Sequence, residues 1–166
     1  NRIRASKKRN TIKNKIMTNL KVGDKAPAID SVDQNGDKIT LDQYIGKKIV
    51  LYFYPKDMTP GCTTQSCNLR DNYKSLIESG YVVLGCSADS PSRHTKFIEK
   101  YDLPFPLISD ESKEVLNAYG VWGPKKFMGK EYDGIHRTTF VIDEKGVITD
   151  VITKVNTKDH TNQILS

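Results

Sequence analysis

The sequence predicts an α/β protein with a mixed central sheet, helices on both faces and an N-terminal β-hairpin. Apolar runs at residues 48–54 and 81–87 have the length of buried strands, and helical patterns separate them. Asn35-Gly36 and, near the end of the chain, Lys145-Gly146 lie between strand-like segments, as in hairpins. Strands that alternate with helices form parallel pairs, and a closing hairpin adds antiparallel ones. A chain of 166 residues suits a single domain.

The first half of the chain predicts a hairpin, a strand, a helix and a second strand. The segments that flank Asn35-Gly36 form the hairpin, and a helical turn at residues 41–45 leads to the strand at 48–54. Thr59 is a suitable N-cap and Pro60 suits the first helical position. Apolar side chains at helical spacing continue towards Gly80, where we expect the helix to end before the strand at 81–87.

The second half predicts two further helices, a short strand, a loop and a closing hairpin. Ser90-Pro91 has the pattern of a helix start. The remaining predictions are a strand at 104–108, a helix at 111–119, a polar loop at 123–133, and strands at 138–143 and 147–153. A last helix is expected from Asp159, and the chain ends at Ser166.

The charge of +6 is concentrated at the N-terminus. Residues 1–16 contain seven of the 26 Lys and Arg residues and no acid, so the remainder holds 19 basic and 20 acidic residues. We therefore expect a disordered basic leader at 1–16 and one domain at 17–166. The leader lacks the apolar core of a secretory signal; an upstream extension is the preferred interpretation, and a nucleic-acid-binding arm is the alternative.

Cysteine usage and hydropathy favour a cytoplasmic protein. No apolar stretch approaches the roughly 20 residues that span a bilayer, so we expect a soluble protein. Three cysteines are too few for a secreted disulfide scaffold, and a reducing compartment fits them best. His94, His136 and His160 have no metal-ligand spacing, and no glycine-rich phosphate loop occurs. We therefore expect no bound cofactor and no metal.

Cys62 occupies the predicted first turn of the helix that starts at Pro60. Free backbone N–H groups and the positive end of the helix dipole favour a thiolate there, and the thiolate is the nucleophilic form of cysteine. The hydroxyl of an N-cap residue points towards the third helical residue, so Thr59 is expected beside the Cys62 sulfur. A small buried hydrophobic residue is the alternative interpretation of Cys62, and the position alone leaves both open.

Cys67 lies five residues after Cys62. On an intact helix their Cα atoms are about 8–9 Å apart, whereas a disulfide tolerates at most roughly 7 Å. If the two cysteines pair, the first turns of the helix must unwind. This spacing predicts a segment that is helical when reduced and locally unwound when oxidised.

The motif Pro55-x-x-x-Thr59-x-x-Cys62 resembles the active-site signature of the peroxiredoxins, and the step to Cys67 resembles their PrxQ, or bacterioferritin comigratory protein, subfamily. Further similarity lies at residues 23–27, 121–123 and 134–138, so the resemblance covers about residues 20–166. It implies a thioredoxin-like fold. Because the family usually completes its C-terminal helix, we also expect this helix to be truncated or frayed here.

The resemblance implies that Cys62 is the peroxidatic cysteine, which a peroxide oxidises to a sulfenic acid. Donors for the leaving oxygen are then the Thr59 hydroxyl, the N–H groups near Gly61 and Cys62, and the guanidinium of Arg137. The residues alone leave Arg137 as a solvated charge at a strand end. Pro55 is expected to shape the site, and it forms the substrate-binding set with Thr59, Gly61 and Arg137.

The resemblance also implies that Cys67 is the resolving cysteine, that thioredoxin or a similar dithiol reduces the Cys62–Cys67 disulfide, and that the protein is a monomer. Its expected substrates are hydrogen peroxide and organic hydroperoxides. Other side chains are interpreted as structural. We expect Cys86 to be a small buried hydrophobic residue, Gln65 an exposed helix residue and His136 a surface histidine. Trp122 and Phe127 are expected to be aromatics of the core or of a pocket rim.

The sequence leaves two other functions as alternatives. A thiol–disulfide oxidoreductase for protein substrates is the alternative within redox chemistry, although no Cys-x-x-Cys motif occurs. A non-catalytic module that binds nucleic acid or a partner through the leader is the third hypothesis. The near-neutral charge of the remaining chain argues against it.

Overall fold

The computed structural model describes residues 18–166, and the leader predicted at 1–16 lies outside this range. The strands are β1 (Asp30–Val32), β2 (Lys38–Thr40), β3 (Lys48–Phe53), β4 (Tyr81–Ser87), β5 (Leu107–Ser109), β6 (Trp122–Phe127), β7 (Lys130–Ile135), β8 (Thr138–Ile142) and β9 (Ile148–Ile152). The α-helices are α1 (Pro60–Asp71), α2 (Tyr73–Glu78), α3 (Pro91–Tyr101), α4 (Glu114–Ala118) and α5 (His160–Leu165). A short 3₁₀ helix, Leu41–Tyr44, precedes β3.

Seven strands form one mixed sheet in the order β2-β1-β5-β4-β3-β8-β9. The central pairs β3–β4 and β4–β5 are parallel, and β8, β9, β1 and β2 join antiparallel to their neighbours. The predicted mixed sheet and N-terminal hairpin are therefore confirmed. No helix within residues 18–166 is long and apolar enough to cross a membrane.

The central strand β3 is buried on both faces. Because successive side chains of a strand point to opposite sides, Leu51 and Phe53 pack into one core cluster, whereas Val50 and Tyr52 pack into the other. A strand covered on both faces is apolar at nearly every position, and here the apolar run after Lys48 is why the strand is readable in the sequence. Cys62 lies in the second of these clusters.

The prediction of a loop at residues 123–133 is wrong, because this segment belongs to the antiparallel hairpin of β6 and β7. The hairpin forms a separate two-stranded sheet, and most of its side chains are exposed or half-buried. Without a buried face it does not need the apolar alternation by which strands are recognised. Its turn contains Met128 and Gly129 with φ angles of 51° and 80°, the left-handed pair that a tight hairpin turn requires.

The single helix predicted from Pro60 to Gly80 is divided at Asn72 into α1 and α2. The side-chain amide of Asn72 donates to the carbonyl of Asn68 at 2.8 Å, and its backbone has left the helical region. Asparagine side chains compete in this way for helical carbonyl groups, which interrupts the helix. The predicted C-terminal helix is present as α5, with Asp159 as its N-cap.

Candidate active site

Cys62 is fully buried in the first turn of α1. The loop that leaves β3 ends at Thr59, the N-cap, and Pro60 opens the helix as predicted. The first helical hydrogen bond runs from the N–H of Thr63 to the carbonyl of Thr59 at 2.9 Å. The N–H groups of Gly61 and Cys62 precede it and have no carbonyl partner within the helix. They face the end of the helix where negative charge is favoured.

Arg137 contacts the Cys62 sulfur directly. Its Nη2 donates to Sγ at 3.2 Å. The register of the sheet explains this contact: Phe53 at the end of β3 is opposite Thr138 at the start of β8, so the residue before Thr138 lies next to the segment that follows Phe53. The structure therefore brings together Cys62 and Arg137, two of the site residues predicted from the sequence.

Gln65 holds the other side of the same guanidinium. Its Oε1 accepts from Nη1 of Arg137 at 2.6 Å, and its side chain is fully buried. The prediction of an exposed glutamine is wrong. A residue three positions after Cys62 lies on the same helix face, and that spacing is the signal in the sequence that identifies it.

Gly61 leaves the space that the guanidinium occupies. A Cβ atom at this position would lie 3.3 Å from Nη2 of Arg137, closer than most side chains tolerate. The small residue before Cys62 therefore permits the approach of Arg137 to the sulfur.

Thr59 caps the helix differently from the prediction. Its backbone is extended, as in an N-cap, but its hydroxyl makes no capping hydrogen bond and donates instead to the carbonyl of Lys56 at 2.8 Å. The hydroxyl therefore does not cap the helix as expected, and the position of Thr59 beside the Cys62 sulfur stays a prediction. Its oxygen lone pairs are left to accept a hydrogen bond.

Cys67 is half-buried on α1, and both it and Cys62 are free thiols on an uninterrupted helix. This is the arrangement predicted for the reduced protein. Burial raises the pKa of the Cys67 thiol; the Asp71 carboxylate raises it further, and Arg70 partly offsets both. The thiol lies in a shallow recess beside Thr64, Asn68 and Lys158.

Cys86 is fully buried on β4, as predicted for a small hydrophobic residue. Burial raises its pKa well above the usual range, and the nearby Asp110 carboxylate acts in the same direction. It belongs to the core cluster on the opposite face of the sheet from Cys62. This position separates Cys86 from the cysteines of α1.

A groove of about 350 Å³ lies between the β6–β7 hairpin and the start of the active-site loop, residues 54–59 between β3 and α1. Pro55 and Trp122 line it, together with Lys125, whose ammonium donates to the carbonyl of Ile135 at 2.8 Å. Trp122 is thus a pocket-rim aromatic, as expected. Phe127 is 66% exposed near the tip of the hairpin, so its predicted place in the core or at the pocket rim is wrong.

The His136 side chain is half-buried and donates from Nε2 to the carbonyl of Pro124 at 3.0 Å. Burial lowers its pKa. The prediction of a surface histidine is therefore only partly right, because this ring is fixed against the β6–β7 hairpin.

The profile of the AhpC/TSA family matches residues 22–151. The chain is 49% identical over 149 residues to a putative peroxiredoxin bcp from Haemophilus influenzae, which covers 90% of this chain and 96% of that protein. It is 47% identical over 150 residues to peroxiredoxin Bcp from Escherichia coli, with the same coverage of both chains. Peroxiredoxin Bcp from Bacillus subtilis is also 47% identical, over 88% of this chain and 93% of that one.

Solved structures have the same fold. Peroxidoxin BcpB from Mycobacterium tuberculosis superposes with a TM-score of 0.78 and 34% identity, covering 88% of this chain and 94% of that chain. The bacterioferritin comigratory protein of Xanthomonas campestris is described for its alkyl peroxide reduction activity. It superposes with a TM-score of 0.81 and 31% identity, covering 90% of this chain and 95% of that chain. A PrxQ variant from Xylella fastidiosa superposes with a TM-score of 0.83 and 29% identity, with the same coverage of both chains. The central sheet and its helices are thus those of the PrxQ proteins.

Proposed function

The chain belongs to the AhpC/TSA family and is a peroxiredoxin, a thiol peroxidase, and from this premise we propose that Cys62 is its peroxidatic residue. The observation that carries the proposal is the contact of Arg137 Nη2 with the Cys62 sulfur at the start of a helix. A guanidinium and a helix N-terminus both stabilise negative charge, so the arrangement favours a thiolate and a negatively charged transition state.

In the proposed reaction, the Cys62 thiolate attacks the terminal oxygen of a hydroperoxide. The sulfur–oxygen bond forms as the oxygen–oxygen bond breaks, the sulfur becomes a sulfenic acid, and the departing oxygen takes up a proton to leave as water or an alcohol. Arg137 and the N–H groups of Gly61 and Cys62 are the proposed donors to the peroxide oxygens. We assign both hydrogen peroxide and organic hydroperoxides as substrates.

Thr59 and Pro55 complete the proposed substrate site. A hydroperoxide carries an O–H group that needs an acceptor, and Arg137 and backbone N–H groups only donate. The Thr59 hydroxyl donates to Lys56, which leaves its oxygen to accept from the substrate. Pro55 lines the adjoining groove and shapes the path along which a peroxide approaches.

Cys67 is the proposed resolving residue. Its thiolate attacks the sulfenic sulfur of Cys62, a disulfide forms and water leaves. The continuous helix between them separates the two thiols, so unwinding of α1 precedes this step. A dithiol of the thioredoxin type then reduces the bridge by exchange. Because the bridge must be reopened in each cycle, we assign the protein to the reducing cytoplasm. We also assign a monomer, which rests on the likeness to the PrxQ subfamily alone.

Stopped-flow oxidation by hydrogen peroxide, followed by Trp122 fluorescence, tests these roles. The wild-type protein is expected to react in two phases, sulfenic acid formation and then disulfide formation. Cys62→Ser abolishes both. Cys67→Ser keeps the first phase and stops at a sulfenic acid that dimedone traps. Cys86→Ala, which removes the thiol on the other face of the sheet, is the matched control and keeps both phases.

Unchanged peroxide consumption by Cys62→Ser would refute the proposed role of this residue. A protein disulfide that oxidises Cys62 faster than peroxide does would favour the alternative, a thiol–disulfide oxidoreductase. The names of the relatives, all peroxiredoxins, favour peroxide.

A further inference from the structure

The loop between β3 and α1 contains one buried acid, Asp57, which is 1% exposed. It lies inside the segment from Pro55 to Cys62, yet the reaction proposed above gives it no part. A carboxylate in this position is costly unless hydrogen bonds or an opposite charge compensate for its burial. Its partners therefore indicate why it is there.

Both carboxylate oxygens of Asp57 are engaged. Oδ1 accepts from the hydroxyl of Tyr54 at 2.6 Å, and Oδ2 lies 2.7 Å from Nδ1 of His94 on α3. The His94 ring is fully buried, and its Nε2 lies 3.0 Å from the carbonyl of Ile108. The pair thus connects the active-site loop to α3 and to β5.

The donor and acceptor pattern determines how many protons the pair holds. The carbonyl of Ile108 only accepts, so Nε2 of His94 carries a hydrogen. Nδ1 and Oδ2 then share one more proton, which sits on the ring as an imidazolium or on Asp57 as a carboxylic acid. Either arrangement leaves the two side chains without net charge, and the burial of the pair is thereby compensated.

The backbone of Asp57 is fixed as well. Its N–H donates to Oδ2 of Asp89 at 2.8 Å, and Nη2 of Arg93 donates to its carbonyl at 3.4 Å. Asp89 is itself held by the hydroxyl of Ser87 at 2.6 Å and by Nε of Arg93 at 3.0 Å. Every polar group of residue 57 therefore has a partner on α3, in the loop between β4 and α3, or at Tyr54, directly after β3.

The next residue shows what this anchoring maintains. Met58 has a φ angle of 70°, a left-handed conformation that is strained for a residue other than glycine. The turn at Met58 directs the chain into Thr59 and the first turn of α1. Hydrogen bonds on Asp57 offset this strain and keep the turn in place.

A metal ion is the other possible explanation of the cluster. Asp57, Asp89 and His94 offer ligand atoms that lie within 4.8 Å of one another. All four carboxylate oxygens already accept hydrogen bonds or face His94, and both ring nitrogens of His94 are engaged. The donors around these atoms would have to leave before a cation could bind, so the cluster is a hydrogen-bonded anchor.

We propose that Asp57 and His94 are positioning residues of the peroxidase reaction, a hydrogen-bonded pair that holds the loop so that Cys62 and its donors meet the peroxide in the right geometry. This inference rests on the role of Cys62 proposed above. A displacement of about 1 Å from productive geometry costs up to about 100-fold in rate.

The test compares Asp57→Ala with Asp57→Asn. An asparagine accepts from Tyr54 and donates to Nδ1 of a neutral His94, so it preserves each hydrogen bond without the shared proton. We expect Asp57→Ala to slow the first stopped-flow phase, the reaction with peroxide, by about 10- to 100-fold. Asp57→Asn should keep the rate of this peroxide phase within about threefold of the wild type. Alkylation of Cys62 by iodoacetamide, which needs the thiolate but no peroxide site, is measured in parallel.

The ratio of the peroxide rate to the alkylation rate shows whether Asp57 positions the site or only stabilises the fold. Positioning lowers the peroxide rate of Asp57→Ala and changes alkylation by less than about threefold, since alkylation does not depend on aligned donors. If Asp57 only stabilises the fold, the folded Asp57→Ala protein reacts with peroxide at the wild-type rate, and the proposal is overturned. Asp110→Ala is the matched control, because Asp110 is a buried acid that accepts from the N–H of Leu116 in another loop.

Tyr54→Phe keeps the proposal testable if Asp57→Ala does not fold. It removes one hydroxyl and the hydrogen bond to Asp57 while it preserves the shape of the core. We expect a slower peroxide phase with an unchanged rate of alkylation. A ratio of peroxide rate to alkylation rate equal to that of the wild type would contradict the proposal. Both results differ from failure of the proposed function itself, in which Cys62→Ser would consume peroxide as the wild type does.

Discussion

Nη2 of Arg137 lies 3.2 Å from the sulfur of Cys62, although 75 residues separate the two in the chain. The contact depends on the antiparallel pairing of β3 with β8, which places the start of one strand beside the end of the other. Nη1 of the same guanidinium is bound to Gln65. Arg137 is thus held by one residue of α1 and directed at another.

Arg137→Met is expected to lower kcat/KM for hydrogen peroxide by about 100- to 1,000-fold, the usual loss when one donor to a developing negative charge is removed. Stopped-flow kinetics at neutral pH measure the effect. Lys126→Met, which removes an exposed cation from β6, is the matched control and is expected to retain the wild-type rate. A wild-type rate in Arg137→Met would contradict the role of Arg137, and an equal loss of rate in both variants would show that it acts only through net charge.

Gly61→Ala should move the guanidinium away from the sulfur. The added Cβ atom would lie 3.3 Å from Nη2, so the side chain of Arg137 must shift by a few tenths of an ångström. We expect a several-fold slower peroxide phase with no loss of stability, because alanine favours a helix more than glycine by about 1 kcal/mol. Gly123→Ala, where a Cβ meets no atom within 4 Å, controls for the substitution.

Disulfide formation is expected to accelerate as the pH rises. Burial raises the pKa of Cys67, and the nearby Asp71 adds to this effect, so at neutral pH the residue is mainly a thiol. Only the thiolate attacks the sulfenic acid, and its fraction grows about tenfold for each pH unit below the pKa. The second stopped-flow phase, measured from pH 7.0 to 8.5, should follow that slope, and a rate independent of pH would contradict this prediction.

Asn68 connects α1 to the C-terminal helix, and its removal should make α1 easier to unwind. Its Oδ1 accepts from the N–H and the hydroxyl of Thr161 at 2.9 and 2.8 Å, and its Nδ2 donates to the carbonyl of Lys158 at 3.0 Å. We expect Asn68→Ala to speed disulfide formation about fivefold, which corresponds to the loss of about 1 kcal/mol. Hydrogen exchange should also become faster in α5.

Two further variants separate this effect from helix propensity, since alanine favours helices more than asparagine does. Thr161→Val removes a hydrogen bond of Asn68 without a change in α1 and should act in the same direction. Asn117→Ala removes an amide on α4 that bonds only within its own helix region and should leave the second phase unchanged. A second phase that slows in Thr161→Val would contradict the proposed connection.

The central elements of the fold were predictable because each produces a local pattern. The strands β3 and β4 are covered on both faces, so their sequences are continuous apolar runs, and Thr59-Pro60 and Ser90-Pro91 mark helix starts by their own chemistry. The β6–β7 hairpin was missed because it lies outside the main sheet and buries little of either face. Asn72 interrupts its helix through one side-chain bond that apolar spacing does not record.

The sequence by itself determined the fold class, the position of Cys62 at a helix start and the five-residue step to Cys67, because these depend on neighbours along the chain. Tertiary structure decided which side chains contact the Cys62 sulfur and its neighbours. Arg137 reaches Cys62 through strand pairing, the buried Gln65 accepts from that guanidinium, and the buried Asp57 pairs with His94 of α3. Contacts between distant segments depend on register and packing, which no local pattern encodes.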